Sequence, residues 1–168
     1  MPESPTPPRA VGHVGITVPD VEAAVAWYGD LFGFRLVGPV ADVDQAQGGA
    51  FAGPVADIFG DDLRRMRMAF LSTANGCIVE LFEFQDKPCE ELDDHFDYHR
   101  RGITHFAITE PDVAGAAARI VERGGVQRSK VWTLFEGLPY TACYCEDPWG
   151  TVIELLSHSH EQTFANLG

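Results

Sequence analysis

Two stretches of the chain alternate apolar and polar residues with the two-residue period of a β-strand, in nearly the same words. Val11 to Val18 sets Val14, Ile16 and Val18 on one face and His13, Gly15 and Thr17 on the other. The run from Gly102 to Val113 repeats it, and both share His-x-x-Ile-Thr-x-Pro-Asp-Val. Each is followed by a helical pattern. Asp20 caps a helix over Val21 to about Phe32, with Val21, Ala24, Val25, Tyr28 and Leu31 on one stripe and Gly33 to end it. The second helix runs from Asp112 to Arg123 and closes on Gly124-Gly125.

Strand patterns complete each half. In the first they cover Phe34 to Val37, then Arg64 to Leu71 and Cys77 to Phe84, a hairpin across Ser72-Thr-Ala-Asn-Gly76. In the second they lie near Val126 to Trp132, Tyr140 to Glu146 and Thr151 to Leu156, with Asp147-Pro-Trp-Gly150 as the last turn. Another phrase recurs here, because Gly76-Cys-Ile-Val-Glu-Leu-Phe82 reappears as Gly150-Thr-Val-Ile-Glu-Leu-Leu156. The fold class is therefore α+β, built from two tandem β-α-β-β-β modules at 10–84 and 102–157. No glycine fingerprint follows a strand, so a dinucleotide-binding fold is not supported.

His13 and His105 stand 92 positions apart but Glu80 and Glu154 only 74, which places an insertion of about 18 residues in the first module. The stretch 38–62, rich in Gly, Ala and Asp, reads as that inserted loop and as a lid over the site. Residues 85–101 read as a polar linker containing Glu90, Glu91, Asp93, Asp94, His95, Asp97 and His99. Residues 1–9 read as a proline-rich disordered leader and 158–168 as a C-terminal tail.

Composition narrows the function classes. With 25 acidic and 12 basic residues, the net charge of −13 argues against nucleic acid and anionic membranes as partners. No apolar run is long enough to span a bilayer and no signal peptide is apparent, so a cytoplasmic protein is expected. Cys77, Cys89, Cys143 and Cys145 lack a Cys-x-x-Cys zinc spacing and read as reduced, mostly buried thiols.

The candidate chemistry lies in the repeated phrases. Singly, each His or Glu is more often a polar rim residue than a ligand. Together, strand alternation puts His13, Glu80, His105 and Glu154 on the faces opposite Val14, Val79, Phe106 and Ile153, where they can converge. Two imidazoles and two carboxylates suit one borderline divalent ion, Zn, Ni, Co, Mn or Fe, with positions left for water or substrate.

From about Ala10 to Leu156 the chain resembles the vicinal oxygen chelate superfamily. That family includes glyoxalase I, methylmalonyl-CoA epimerase, extradiol dioxygenases and the fosfomycin and bleomycin resistance proteins. The resemblance rests on Gly12-His13-Val14 with Pro19-Asp20, on Val25-Ala-Trp-Tyr-Gly-Asp-Leu-Phe-Gly-Phe34, on Ile78-Val-Glu-Leu81, on Thr104-His-Phe-Ala-Ile108 and on Glu146-Asp-Pro-Trp-Gly-Thr-Val-Ile-Glu-Leu155. It implies an open eight-stranded sheet around a metal, with the four residues above in the ligand positions and a homodimer as the assembly.

By the same resemblance, a complete four-ligand set points to a lyase, isomerase or epimerase acting on a small carbonyl or acyl substrate. Glu154 and Glu80 are the candidate proton-moving carboxylates. Thr17 and Phe84 stand where glyoxalase I keeps glutathione contacts, which makes a glutathione-linked substrate unexpected. Arg101 is a candidate substrate-binding cation. Extradiol dioxygenases use two His and one Glu on Fe(II), which His13, His105 and Glu154 supply, so a ring-cleavage dioxygenase is the alternative; Tyr144, where those enzymes keep a Tyr, adds only a weak signal. A non-catalytic drug- or metabolite-binding protein is a second alternative, against which the complete ligand set argues.

Overall fold

The computed structural model describes residues 6–87, 89–90, 94, 96–99 and 101–165, and the chain divides into two units, Met1–Cys89 and Glu90–Gly168. In the first, the alternating stretch forms β1 (His13–Thr17). Asp20 then starts α1 (Val21–Phe32) by accepting a 2.9 Å hydrogen bond from the Ala23 amide, a cap contributing about 1 kcal/mol. Gly33 ends the helix at φ 67°, a left-handed conformation that costs glycine little. Val21, Ala24, Tyr28 and Leu31 are buried as the helical stripe predicts, but Trp27 takes the place expected for Val25. The larger ring gains more by burial and packs edge-on against Tyr28, with 4.9 Å between centroids.

Four further strands complete this sheet: β2 (Arg35–Leu36), β3 (Ala41–Asp44), β4 (Arg65–Ser72) and β5 (Ile78–Phe84). β1 runs parallel to β5 and β5 antiparallel to β4. β2 pairs with Leu71 and Ser72 and β3 with Arg65 to Met68, along the remaining edge of β4. They are two pieces of one interrupted edge strand. On the α1 side lie Ala69, Leu71, Val79 and Leu81, all buried, together with Glu83, which accepts a 3.0 Å hydrogen bond from the Val21 amide. The other face carries Phe70, Ile78, Glu80, Phe82 and Phe84.

The stretch 38–62 is not the open loop its composition suggests. It contains β3 and α2 (Ala52–Phe59), bounded by Gly48, Gly49 and Gly60 at positive φ. Val55 packs with Val43, Leu63, Met66 and Met68, and the Phe59 ring meets Phe82 and Phe84 edge-on at 6.0 and 5.3 Å. Met66, Met68, Phe82 and Phe84 share the Glu80 face of the sheet, so α2 lies on that face beside Glu80. A few well-spaced apolar residues hold a helix that Gly and Ala concealed.

The second unit repeats the plan with β6 (Phe106–Thr109), α3 (Val113–Glu122), β7 (Val126–Gln127), β8 (Trp132–Thr133), β9 (Thr141–Glu146) and β10 (Val152–Leu156). β6 runs parallel to β10, β10 antiparallel to β9, and β7 and β8 share the remaining edge of β9. Asp112 caps α3 through a 3.0 Å bond from the Gly115 amide. At Gly125 a Cβ would stand 2.3 Å from the Glu146 carbonyl oxygen, so only glycine lets the chain leave α3 so close to β9. Asp147 shapes the last turn by accepting from the Trp149 and Thr151 amides.

Among the described residues each unit thus has a five-stranded sheet, one strand more than the four its module predicts, because the second strand of each module is broken in two. The linker expected over 85–101 begins later, since Gln85 and Asp86 still bond to the β4 backbone and the unit boundary falls after Cys89. Glu91, Asp93 and His95 of that stretch lie outside the described residues, as do residues 1–5 of the leader and 166–168 of the tail. The expected tail also contains α4 (His160–Phe164), which a capping box between Ser159 and Gln162 starts. No helix among the described residues is long and apolar enough to cross a membrane.

Candidate metal centre

The repeated phrases become repeated geometry within each unit. In the first, Glu80 on β5 pairs with Gly15 on β1, two residues beyond His13. In the second, Glu154 on β10 pairs with Ala107 on β6, two residues beyond His105. Because side chains two apart on a strand share a face, each Glu is brought diagonally to its His. His13 Nε2 lies 3.5 Å from Glu80 Oε2 and His105 Nε2 lies 3.1 Å from Glu154 Oε2. Both carboxylates are largely shielded, at 15% and 13% side-chain exposure.

Within each unit the separation suits two ligands of one cation. Two ligand atoms about 2.0–2.2 Å from a metal, at angles between square and tetrahedral, stand roughly 3.0–3.5 Å apart. An imidazole nitrogen and a carboxylate oxygen are also the right donor chemistry for Zn, Ni, Co, Mn or Fe. A different cluster, Asp20, Glu22 and Glu83, gathers three carboxylates, but there Arg67 pairs with Glu22 and Glu83, and the Val21 amide donates to Glu83. That cluster ties α1 to its sheet.

The surroundings of the two pairs differ. Opposite Glu154 in the β9–β10 ladder stands Tyr144, whose hydroxyl is 3.4 Å from His105 Nε2 and whose ring packs edge-on against the imidazole at 5.0 Å. Burial first, and then the Glu154 carboxylate, push the Tyr144 hydroxyl up to about 12, so it stays a proton donor at neutral pH. Opposite Glu80 in the β4–β5 ladder stands Phe70, which has no hydroxyl. His105 Nδ1 is 2.9 Å from Thr104 Oγ1, whereas His13 follows Gly12. Arg101 stands exposed in the bend at 101–102, ahead of β6.

Sequence reasoning singled out Tyr144 but passed over Thr104, Phe70 and Phe96. Phe96, expected within the polar linker, packs its ring on Tyr144 at 5.7 Å. Its signal was a large aromatic residue set among acidic ones. Thr17 and Phe84, expected to lack glutathione contacts, lie at the paired end of β1 and in the ring stack with Phe82 and Phe59.

Comparison with known proteins follows the same lines. The family described as Glyoxalase/Bleomycin resistance protein/Dioxygenase superfamily matches residues 10–155. No curated protein is a significant match to the chain. Among solved structures, a glyoxalase family protein from Bacillus cereus is 23% identical, with 86% of this chain and 90% of that one covered and a TM-score of 0.69. Glyoxalase I from Zea mays is 22% identical over 89% of this chain and 44% of its own, with a TM-score of 0.58. The fosfomycin resistance protein FosX from Listeria monocytogenes, a glutamate-to-glutamine mutant complexed with Mn(II) and 1S,2S-dihydroxypropylphosphonic acid, is 16% identical over 92% and 97%, with a TM-score of 0.56. At these identities the likeness is one of fold.

Proposed function

The chain belongs to the Glyoxalase/Bleomycin resistance protein/Dioxygenase superfamily, and from that premise we propose that it is a divalent-metal-dependent lyase, isomerase or epimerase. His13, Glu80, His105 and Glu154 hold one ion, and the enzyme removes a proton from the carbon beside a carbonyl of a small substrate. The observation that carries this reading is the identical register of the two His–Glu pairs, with donor atoms 3.5 and 3.1 Å apart. Two chance ion pairs need not share an offset.

A bound divalent cation supplies Lewis acidity to the carbonyl oxygen and so eases loss of the neighbouring proton. The chain's own part is to place bases and exclude water. Glu80 and Glu154 accept and return the proton, and two carboxylates allow return by a different group from the one that took it. On the Glu80 face, Phe70, Phe82 and the α2 ring Phe59 shed water from the neighbourhood of the carboxylate. With Thr17 and Phe84 at the family's glutathione positions, the substrate is free of glutathione. Arg101, four residues before His105 in the chain, holds a carboxylate or thioester group of the substrate in this reading.

The test is elemental analysis of protein purified without chelator, beside the His105→Ala variant, followed by a metal-reconstituted screen for C–H exchange in deuterated water and for oxygen uptake. Equal metal in both proteins removes the proposal. Oxygen uptake without exchange favours a second reading, an Fe(II) ring-cleavage dioxygenase using His13, His105 and Glu154, which the position of Tyr144 beside His105 supports.

A further inference from the structure

The two halves of the proposed centre repeat in backbone but not in support. His105 has a hydroxyl at each ring nitrogen, Thr104 Oγ1 at 2.9 Å from Nδ1 and the Tyr144 hydroxyl at 3.4 Å from Nε2. Glu154 lies opposite Tyr144 in the ladder, and Phe96 packs on the Tyr144 ring. His13 has Gly12 before it, and Glu80 has Phe70 opposite, so among the described residues of the first unit neither position carries a hydroxyl. Exposure follows the same order, with the His13 side chain 63% exposed and that of His105 29%.

Resting on the reading that these four residues hold one cation, we propose that His105 and Glu154 form its preorganised half and that Thr104 and Tyr144 are the positioning residues that make it so. The His13–Glu80 pair is then the adaptable half, and Glu80 is the carboxylate left free to turn toward substrate. The physical reason is ordering entropy. A ligand already held in one rotamer loses little freedom when a cation arrives, whereas an exposed imidazole loses most of it then. A hydroxyl suits this task because it can accept from Nδ1–H or donate to a bare Nδ1. Thr104 therefore holds the ring both when Nε2 carries a proton toward Glu154 and when its lone pair faces a cation. Tyr144 acts through the carboxylate, since its hydroxyl bonds to Glu154 across the ladder, and hydrogen-bonding partners of a metal ligand typically change affinity by 10–100-fold.

The experiment uses the full chain, Co²⁺ as the probe, and the near-isosteric variants Tyr144→Phe and Thr104→Val. Each is expected to raise the Co²⁺ dissociation constant about tenfold. His105→Ala is expected to weaken Co²⁺ more than His13→Ala does. In metal-free protein, both hydroxyl variants are expected to move the ¹⁵N resonances of the His105 ring and leave those of His13 in place. Co²⁺ affinity within twofold of wild type in both, or equal losses from His105→Ala and His13→Ala, overturns the inference while leaving a metal site standing. Co²⁺ uptake that no loss among the four residues lowers sinks the underlying reading instead. Should Co²⁺ not bind at all, an unmoved His105 spectrum disposes of the positioning role independently.

Discussion

His105 Nε2 and Glu154 Oε2 lie 3.1 Å apart although 49 residues separate them in the chain. A shielded His–carboxylate pair makes one good hydrogen bond alone, but with a cation between them both groups keep a full-strength partner. Metal binding to the folded chain must therefore stabilise it. At a free Co²⁺ concentration one hundredfold above its dissociation constant, unfolding should cost about 2.7 kcal/mol more than in chelator. Urea titration with and without Co²⁺ checks this, and His105→Ala should show little of the gain.

Glu80→Gln separates the two enzyme readings. In the proton-transfer reading it removes a ligand charge and a base, so solvent deuterium incorporation should fall severely and metal affinity by the order of tenfold. A three-ligand dioxygenase would keep its iron and its oxygen uptake. Metal content, exchange and oxygen consumption measured on this one variant decide, and unchanged metal affinity would count against Glu80 as a ligand.

The close approach at Gly125 gives a stability prediction independent of the site. Alanine there would put Cβ 2.3 Å from the Glu146 carbonyl oxygen and 2.6 Å from Ile120 Cγ2. Backbone cannot yield as a flexible side chain does, so Gly125→Ala should lose about 1–3 kcal/mol in equilibrium unfolding. Gly12, with nothing within 4 Å of an added Cβ, serves as the control and should tolerate alanine.

Asp86 is expected to lend the fold a sensitivity to acid. The Arg65 amide above all, with help from the Arg64 amide and the Arg65 guanidinium, holds its carboxyl below the usual value of 3.8. A carboxyl whose folded value is depressed contributes stability that is fully present above the unfolded value and is lost as pH falls through the folded one. Wild type should therefore exceed Asp86→Asn in stability at pH 6, and the gap should narrow at pH 3. A gap of equal size at both values would contradict the assignment.

The four thiols should react in a fixed order. Cys89 is exposed and Cys77 half-buried, whereas Cys143 and Cys145 are buried with their sulfurs 3.9 Å apart. Burial first, then the neighbouring Cys143, push the Cys145 thiol up to about 12, which starves it of thiolate at neutral pH. Iodoacetamide on the folded chain should label Cys89 fastest and spare 143 and 145 until urea unfolds it, as peptide mass spectrometry would read.

Local pattern was enough to recover the duplicated β-α-β-β-β order, the cap at Asp20, and the common face of each His with its strand, because period, capping and turn chemistry are properties of neighbouring residues. The same pattern picked out His13, Glu80, His105 and Glu154 as candidates. It misplaced Trp27, the broken edge strands and the helix within 38–62, all of which depend on what a side chain finds to pack against. It also could not distinguish the two His–Glu pairs. That difference comes from register, which sets Tyr144 opposite Glu154 and Phe70 opposite Glu80, and from Phe96 docking on Tyr144. Register in these two hairpins is set by the geometry of the turn and the pairing it closes, and sliding one strand by a residue would exchange every neighbour while leaving the sequence unchanged.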